Sequence, residues 1–92
     1  MATITEESVP RFPRHVKFRF DQARDAWVVL APEKVFMPDE IAVEVLKRCN
    51  GEATLAAIIE DLAQTFEADR KTVGTDVIAM LQDLADKGII TA

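Results

Sequence analysis

The sequence predicts an α+β fold in which a three-stranded antiparallel sheet is followed by three helices. Three observations carry this. Residues 15–21 alternate apolar and polar side chains. Residues 26–30 are apolar on both faces. From residue 39 onward, apolar positions recur at helical spacing in three stretches, each opened by a capping residue.

The first strand is His15-Val16-Lys17-Phe18-Arg19-Phe20-Asp21. Val16, Phe18 and Phe20 point one way and Lys17 and Arg19 the other, the pattern of a half-buried strand. Gln22-Ala23-Arg24-Asp25 is a polar connection of hairpin length. Ala26-Trp27-Val28-Val29-Leu30 is the second strand, and its two apolar faces place it at the centre. Ala31-Pro32-Glu33 turns the chain, with proline fixing φ. Lys34-Val35-Phe36-Met37 is a short third strand closed by Pro38. A meander in this order leaves the third strand at an edge.

Asp39 is the expected N-cap of the first helix, whose apolar positions are Ile41, Ala42, Val45, Leu46 and Cys49. Asn50-Gly51 ends it, with Gly51 suited to a left-handed cap. Thr54 starts the second helix, with the stripe Leu55, Ile58, Ile59, Leu62, Ala63 and Phe66. Asp69 caps the third and Gly88 stops it. Ile89-Ile90-Thr91 is expected to add a short strand or pack on the core. The order resembles a winged helix-turn-helix with its β-ribbon moved to the front. Residues 1–10 lack periodicity and read as a flexible tail or linker, leaving residues 11–92 as the folded domain.

The third helix is apolar over more of its surface than one contact requires. At about 100° per residue, Val73, Val77, Met80 and Leu84 form the expected core stripe. Gly74, Ile78, Leu81 and Ala85 form a smooth shoulder beside it. The shoulder is read either as a wide buried face or as one wall of a groove. The other wall would be the edge strand, Lys34 to Met37, whose unpaired N–H and C=O groups can take an extended peptide as an added strand.

Composition bounds the function. The chain has 92 residues, one histidine, one cysteine and a net charge of −5. That is one domain, without room for a cleft between two. No apolar run reaches the ~18–20 residues that cross a bilayer. The acidic start is not that of a signal peptide. A lone cysteine permits no internal disulfide, and with one histidine a zinc site is not expected. Cys49 reads as a buried apolar residue and His15 as a surface residue at a strand start. No catalytic constellation emerges. A lone thiol fits a reducing, cytoplasmic setting.

Charge is divided along the chain. Residues 11–37 hold Arg11, Arg14, Lys17, Arg19, Arg24 and Lys34 against Asp21, Asp25 and Glu33, whereas the helical part is strongly acidic. The third helix sets Arg70, Lys71 and Lys87 against Asp69, Asp76, Asp83 and Asp86. A recognition helix of that balance repels phosphate, which argues against a winged-helix DNA binder.

Val29-Leu30-Ala31-Pro32-Glu33-Lys34, then Ile41-Ala42-Val43-Glu44-Val45-Leu46 with Asn50-Gly51, resembles the PqqD family. The likeness continues through the Leu55–Phe66 stripe, Asp76-Val77 to Leu84, and Lys87-Gly88-Ile89-Ile90, covering residues 11–91. One departure is Asn50, where the family often has Asp. The resemblance implies a non-catalytic peptide chaperone of pyrroloquinoline quinone (PQQ) biosynthesis, a recognition element for a ribosomally made, modified peptide. Its implied partners are the precursor peptide PqqA and the radical SAM enzyme PqqE, with fusion to PqqC in some members. No cofactor, nucleic acid or membrane is implied. In related systems the precursor lies along the third strand against the third helix. The residues expected to bind it here are Lys34, Val35, Phe36, Met37, Gly74, Ile78, Leu81 and Ala85, with Lys34, Lys17 or Arg19 attracting acidic peptide residues. The remaining expectation of the same kind is a recognition element for a different modified peptide.

Overall fold

The computed structural model describes residues 3–92. Strands β1 (Lys17–Asp21), β2 (Ala26–Ala31) and β3 (Lys34–Phe36) precede helices α1 (Glu40–Lys47), α2 (Leu55–Thr65) and α3 (Arg70–Asp86). The sheet is an antiparallel meander in the order β1-β2-β3, with β2 central as its two apolar faces require. Phe18 opposes Val29, Phe20 opposes Trp27, and Val29 in turn opposes Phe36. These residues share the sheet face on which the helices pack. β1 starts two residues later than the alternation suggests, because the Val16 N–H turns back to the Pro13 carbonyl at 3.0 Å. Val16 is still buried in the core.

The helix boundaries follow the caps. Asp39, Thr54 and Asp69 each accept from the N–H three residues ahead, those of Ala42, Ala57 and Thr72. Gly51 and Gly88 hold φ of +78° and +75°, the left-handed conformation that lets the chain leave α1 and α3. The core joins Val29 of the sheet to Val45, Leu46, Leu55, Ile59 and Leu81 of the helices. After α3, Ile89 and Ile90 are buried and Thr91 forms a single antiparallel bridge with Arg11.

The start of the chain departs from the expected free tail. Ile4 and Pro10 are buried. The Ile4 N–H donates to Gln82 Oε1 of α3 at 2.8 Å. The carbonyls of Ser8 and Glu6 accept from Leu55 and Ala56 at 2.7 and 2.8 Å. Those amides stand in the first turn of α2, where no carbonyl of the same helix can reach them, so this segment completes the helix end. Residues 1 and 2, part of the same expected tail, lie outside the described residues.

Candidate functional site

β3 is an edge strand with one side open. The two-residue connection Pro32-Glu33 closes on Ala31 and Lys34, which oppose each other as the hydrogen-bonded pair of the turn. Pairs alternate along an antiparallel ladder. Val35, opposite Leu30, is therefore the residue whose N–H and C=O point away from β2. Its side chain, on the outer face of the sheet, is 55% exposed. Phe36 turns inward and is half-buried against the core. Met37 follows at the bend before Pro38 and is 60% exposed. Lys34 stands exposed at the turn.

Beside this edge runs an apolar groove of about 380 Å³ between β3, the start of α1 and α3. Phe36, Pro38, Ile41, Ala42 and Met80 line it, with Val77 and Leu84 behind. Asp39 and Asp76 contribute its carboxylates. Asp39 is engaged as the cap of α1, whereas Asp76 stands exposed with no ion pair among the described residues.

The wall supplied by α3 is not the one the helical periodicity suggests. The buried stripe of α3 is Gly74, Val77, Leu81 and Leu84. Gly74 sits against α2, with Ile59 carbons 3.6 and 3.7 Å from where a Cβ would be. Leu81 is fully buried. Ile78 and Ala85 are partly buried against the core. Ile78 lines a separate depression of about 400 Å³ with Glu6, Arg70, Lys71, Gly74 and Thr75, and does not line the groove beside β3. Of the shoulder, Gly74 and Leu81 are internal packing, while Ile78 and Ala85 are half-buried outside the groove. Val73 and Met80, assigned to the core stripe, are the half-buried flank on the α1 side. The docked amino-terminal segment lies against the shoulder side of α3. It covers that side, with Ile4 bonded to Gln82 and Glu6 beside Ile78. Ile4 and Val9 are the available signal, but their spacing of five residues matches neither a strand nor a helix period.

Two further candidates resolve into structure. Cys49 is buried, its thiol donates to the Val45 carbonyl at 3.4 Å, and burial pushes its pKa up to about 12. A thiol held protonated in this way is no nucleophile at neutral pH. His15 is exposed. Lys17 and Arg19 project from the sheet face opposite the helices, away from the groove. Among the described residues no group of His, Cys, Asp and Glu could hold a metal ion, and no helix is long and apolar enough to cross a membrane.

The family model for coenzyme PQQ synthesis protein D (PqqD) matches residues 26–90. This chain belongs to the PqqD family. A Rhodopseudomonas palustris (strain BisB5) protein named PqqA binding protein is 57% identical over 97% of this chain and 87% of its own length. The bifunctional coenzyme PQQ synthesis protein C/D of Methylorubrum extorquens is 44% identical over 89% of this chain, a region making up 22% of that larger protein. A PqqD domain can therefore stand alone or form part of a longer chain. The solution NMR structure of the PqqD truncation of Methylobacterium extorquens PqqCD is described as a functional, stand-alone RiPP recognition element. It superimposes with a TM-score of 0.81 at 40% identity, covering 97% of this chain and 95% of that one. The PqqD fold thus coincides with the sheet-then-helices order derived above.

Proposed function

We propose that this PqqD domain is a non-catalytic chaperone that binds the precursor peptide PqqA at the open edge of β3 and presents it to the radical SAM enzyme PqqE. The observation that carries this is the unpaired edge of β3 beside an apolar groove, in a chain closely related to proteins named for binding PqqA. The peptide adds a fourth strand next to Val35. Its inward side chains enter the groove over Phe36, Ile41 and Met80. Lys34 at the turn attracts an acidic peptide residue, and Asp76 a basic one. The domain works in the cytoplasm, in company with PqqC as in the fused relative.

The strength of this contact can be bounded. Each net hydrogen bond contributes ~0.5–1.5 kcal/mol, and one or two buried apolar anchors add ~1.5–3 kcal/mol each. Ordering the free peptide costs a few kcal/mol. A Kd on the order of 0.1–10 μM follows, which suits a carrier that must release its cargo.

The test is an NMR titration of the isotope-labelled domain with PqqA, in parallel with the variants Met80→Asp and Ile78→Asp. Amide shifts concentrated at residues 34–37, 41–42 and 76–84 are expected. Met80→Asp should weaken binding about tenfold or more, and Ile78→Asp, if folded, less than threefold. The opposite ranking would return the site to the shoulder of α3. No shifts at millimolar peptide would refute the assignment of PqqA as cargo.

A further inference from the structure

Five large apolar side chains are markedly exposed among the described residues: Phe20, Val35, Met37, Ile41 and Phe66. Val35 and Met37 belong to the β3 edge. The other three meet elsewhere. Phe20, Ile41 and Phe66 open into a second cavity of about 680 Å³, between the tip of the β1–β2 hairpin, the outer side of α1 and the end of α2. Trp27 and Val43 also line it. Exposed apolar surface gathered in one concavity and rimmed by polar groups marks a contact site rather than scattered surface residues.

The rim has a sign. Asp25, Glu40 and Glu44 stand around the opening with Lys47 as its one cation. Lys47 is already engaged, 5.0 Å above the Trp27 ring and bonded to Glu44. Glu44 also receives Arg48. Asp25 and Glu40 have no ion pair among the described residues. The surface therefore offers apolar sockets inside a negative border. Its complement is a protein patch with one or two bulky apolar projections flanked by Lys or Arg.

Position adds the second argument. This cavity and the β3 groove share only Pro38 and Ile41. α1 stands between them as a ridge, with Ile41 at its start 70% exposed. One side of the ridge can hold a peptide while the other is occupied. We infer that the Phe20–Ile41–Phe66 cavity is the docking surface for the protein that receives the bound peptide, through a basic-rimmed apolar patch on that protein. This rests on the proposed role as a peptide carrier: handing over an extended peptide requires a partner seated beside it, not over it.

The experiment measures two affinities on the full chain, that for PqqA alone and that of the PqqA-loaded domain for PqqE. The variants are Phe20→Ser with Phe66→Ser, and separately Asp25→Asn with Glu40→Gln. Asparagine keeps the positive φ of 53° at position 25 accessible. The apolar pair should lower PqqE affinity tenfold or more and leave PqqA affinity within twofold. The neutralised pair should slow PqqE association two- to fivefold and flatten its salt dependence. Should the apolar pair fail to fold, the neutralised pair, altered only at exposed positions, still decides. Unchanged PqqE binding in folded variants, or no PqqE binding by the unaltered chain, would overturn the inference. Loss of PqqA affinity with PqqE affinity retained would overturn it too, assigning the cavity to the peptide. If the unaltered chain ignores PqqA yet binds PqqE through these residues, the carrier role fails and the docking surface stands.

Discussion

Replacing Ile4 with alanine tests whether the start of the chain is part of the folded domain. Ile4 is 4% exposed and its backbone N–H is fixed by Gln82. The substitution removes three buried carbons, and at ~0.8 kcal/mol per buried CH₂ the loss is about 2.4 kcal/mol. In a domain of this size ~1 kcal/mol moves Tm by about 4–8 °C, so a fall of about 10–20 °C is expected. The full loss reaches Tm only if the segment stays docked until the domain unfolds. If it detaches earlier, the fall in Tm is smaller. The amides of Leu55 and Ala56, which bond to Ser8 and Glu6, then lose hydrogen-exchange protection instead. Thermal unfolding and native-state exchange together cover both cases. Glu7→Ala, at an exposed position, is the control and should stay within ~0.5 kcal/mol. A Tm within about 2 °C of the parent, with exchange at Leu55 and Ala56 unchanged, would refute the docked segment.

Other outcomes follow from the same geometry. Val35→Pro removes an N–H that β2 does not use, so the fold should persist while PqqA affinity, read by calorimetry, falls roughly 2- to 13-fold, one net hydrogen bond. Equal affinity would exclude strand addition at that residue. Gly74→Ala places a Cβ in ordinary contact with Ile59. It should raise helix stability by up to ~1 kcal/mol without altering PqqA binding, whereas a loss of binding would put the peptide on that face. Acid should loosen the chain start. The Arg70 guanidinium, bonded at 2.6 Å, holds the Glu6 carboxyl below its ordinary value. A depressed carboxyl contributes fully above its unfolded value of about 4.3 and loses that contribution as pH falls through the lower folded value. Exchange protection at Ala56 should therefore drop below about pH 4 in the parent, and Glu6→Gln should show a weaker dependence in that range. An identical profile in the two proteins would remove the ion pair from this account.

The elements and their order are legible in local stretches of sequence. Strand alternation in Lys17–Asp21, the two-sided apolar run of β2, the Pro32-Glu33 turn and the caps Asp39, Thr54 and Asp69 are local signals, each acting within a few residues. They sufficed to place β3 at an edge, where Phe36 lines the candidate groove. Which face of α3 borders the groove depends on contacts distant in sequence. A helix with apolar residues over nearly half its circumference is compatible with several rotations, and the choice depends on what packs against it from far away in sequence. Here Ile4 and Gln82 meet across 78 residues, and Ile59 closes on Gly74. Gly74 and Leu81 lie inward, and Met80 lines the groove beside β3. The same holds for Phe20, Ile41 and Phe66. Each reads in sequence as the apolar member of its own strand or helix, and only the packing of hairpin, α1 and α2 leaves all three facing one open cavity. Local chemistry fixes elements because its interactions are short in sequence. Surfaces are assembled from residues whose proximity the chain acquires only on folding.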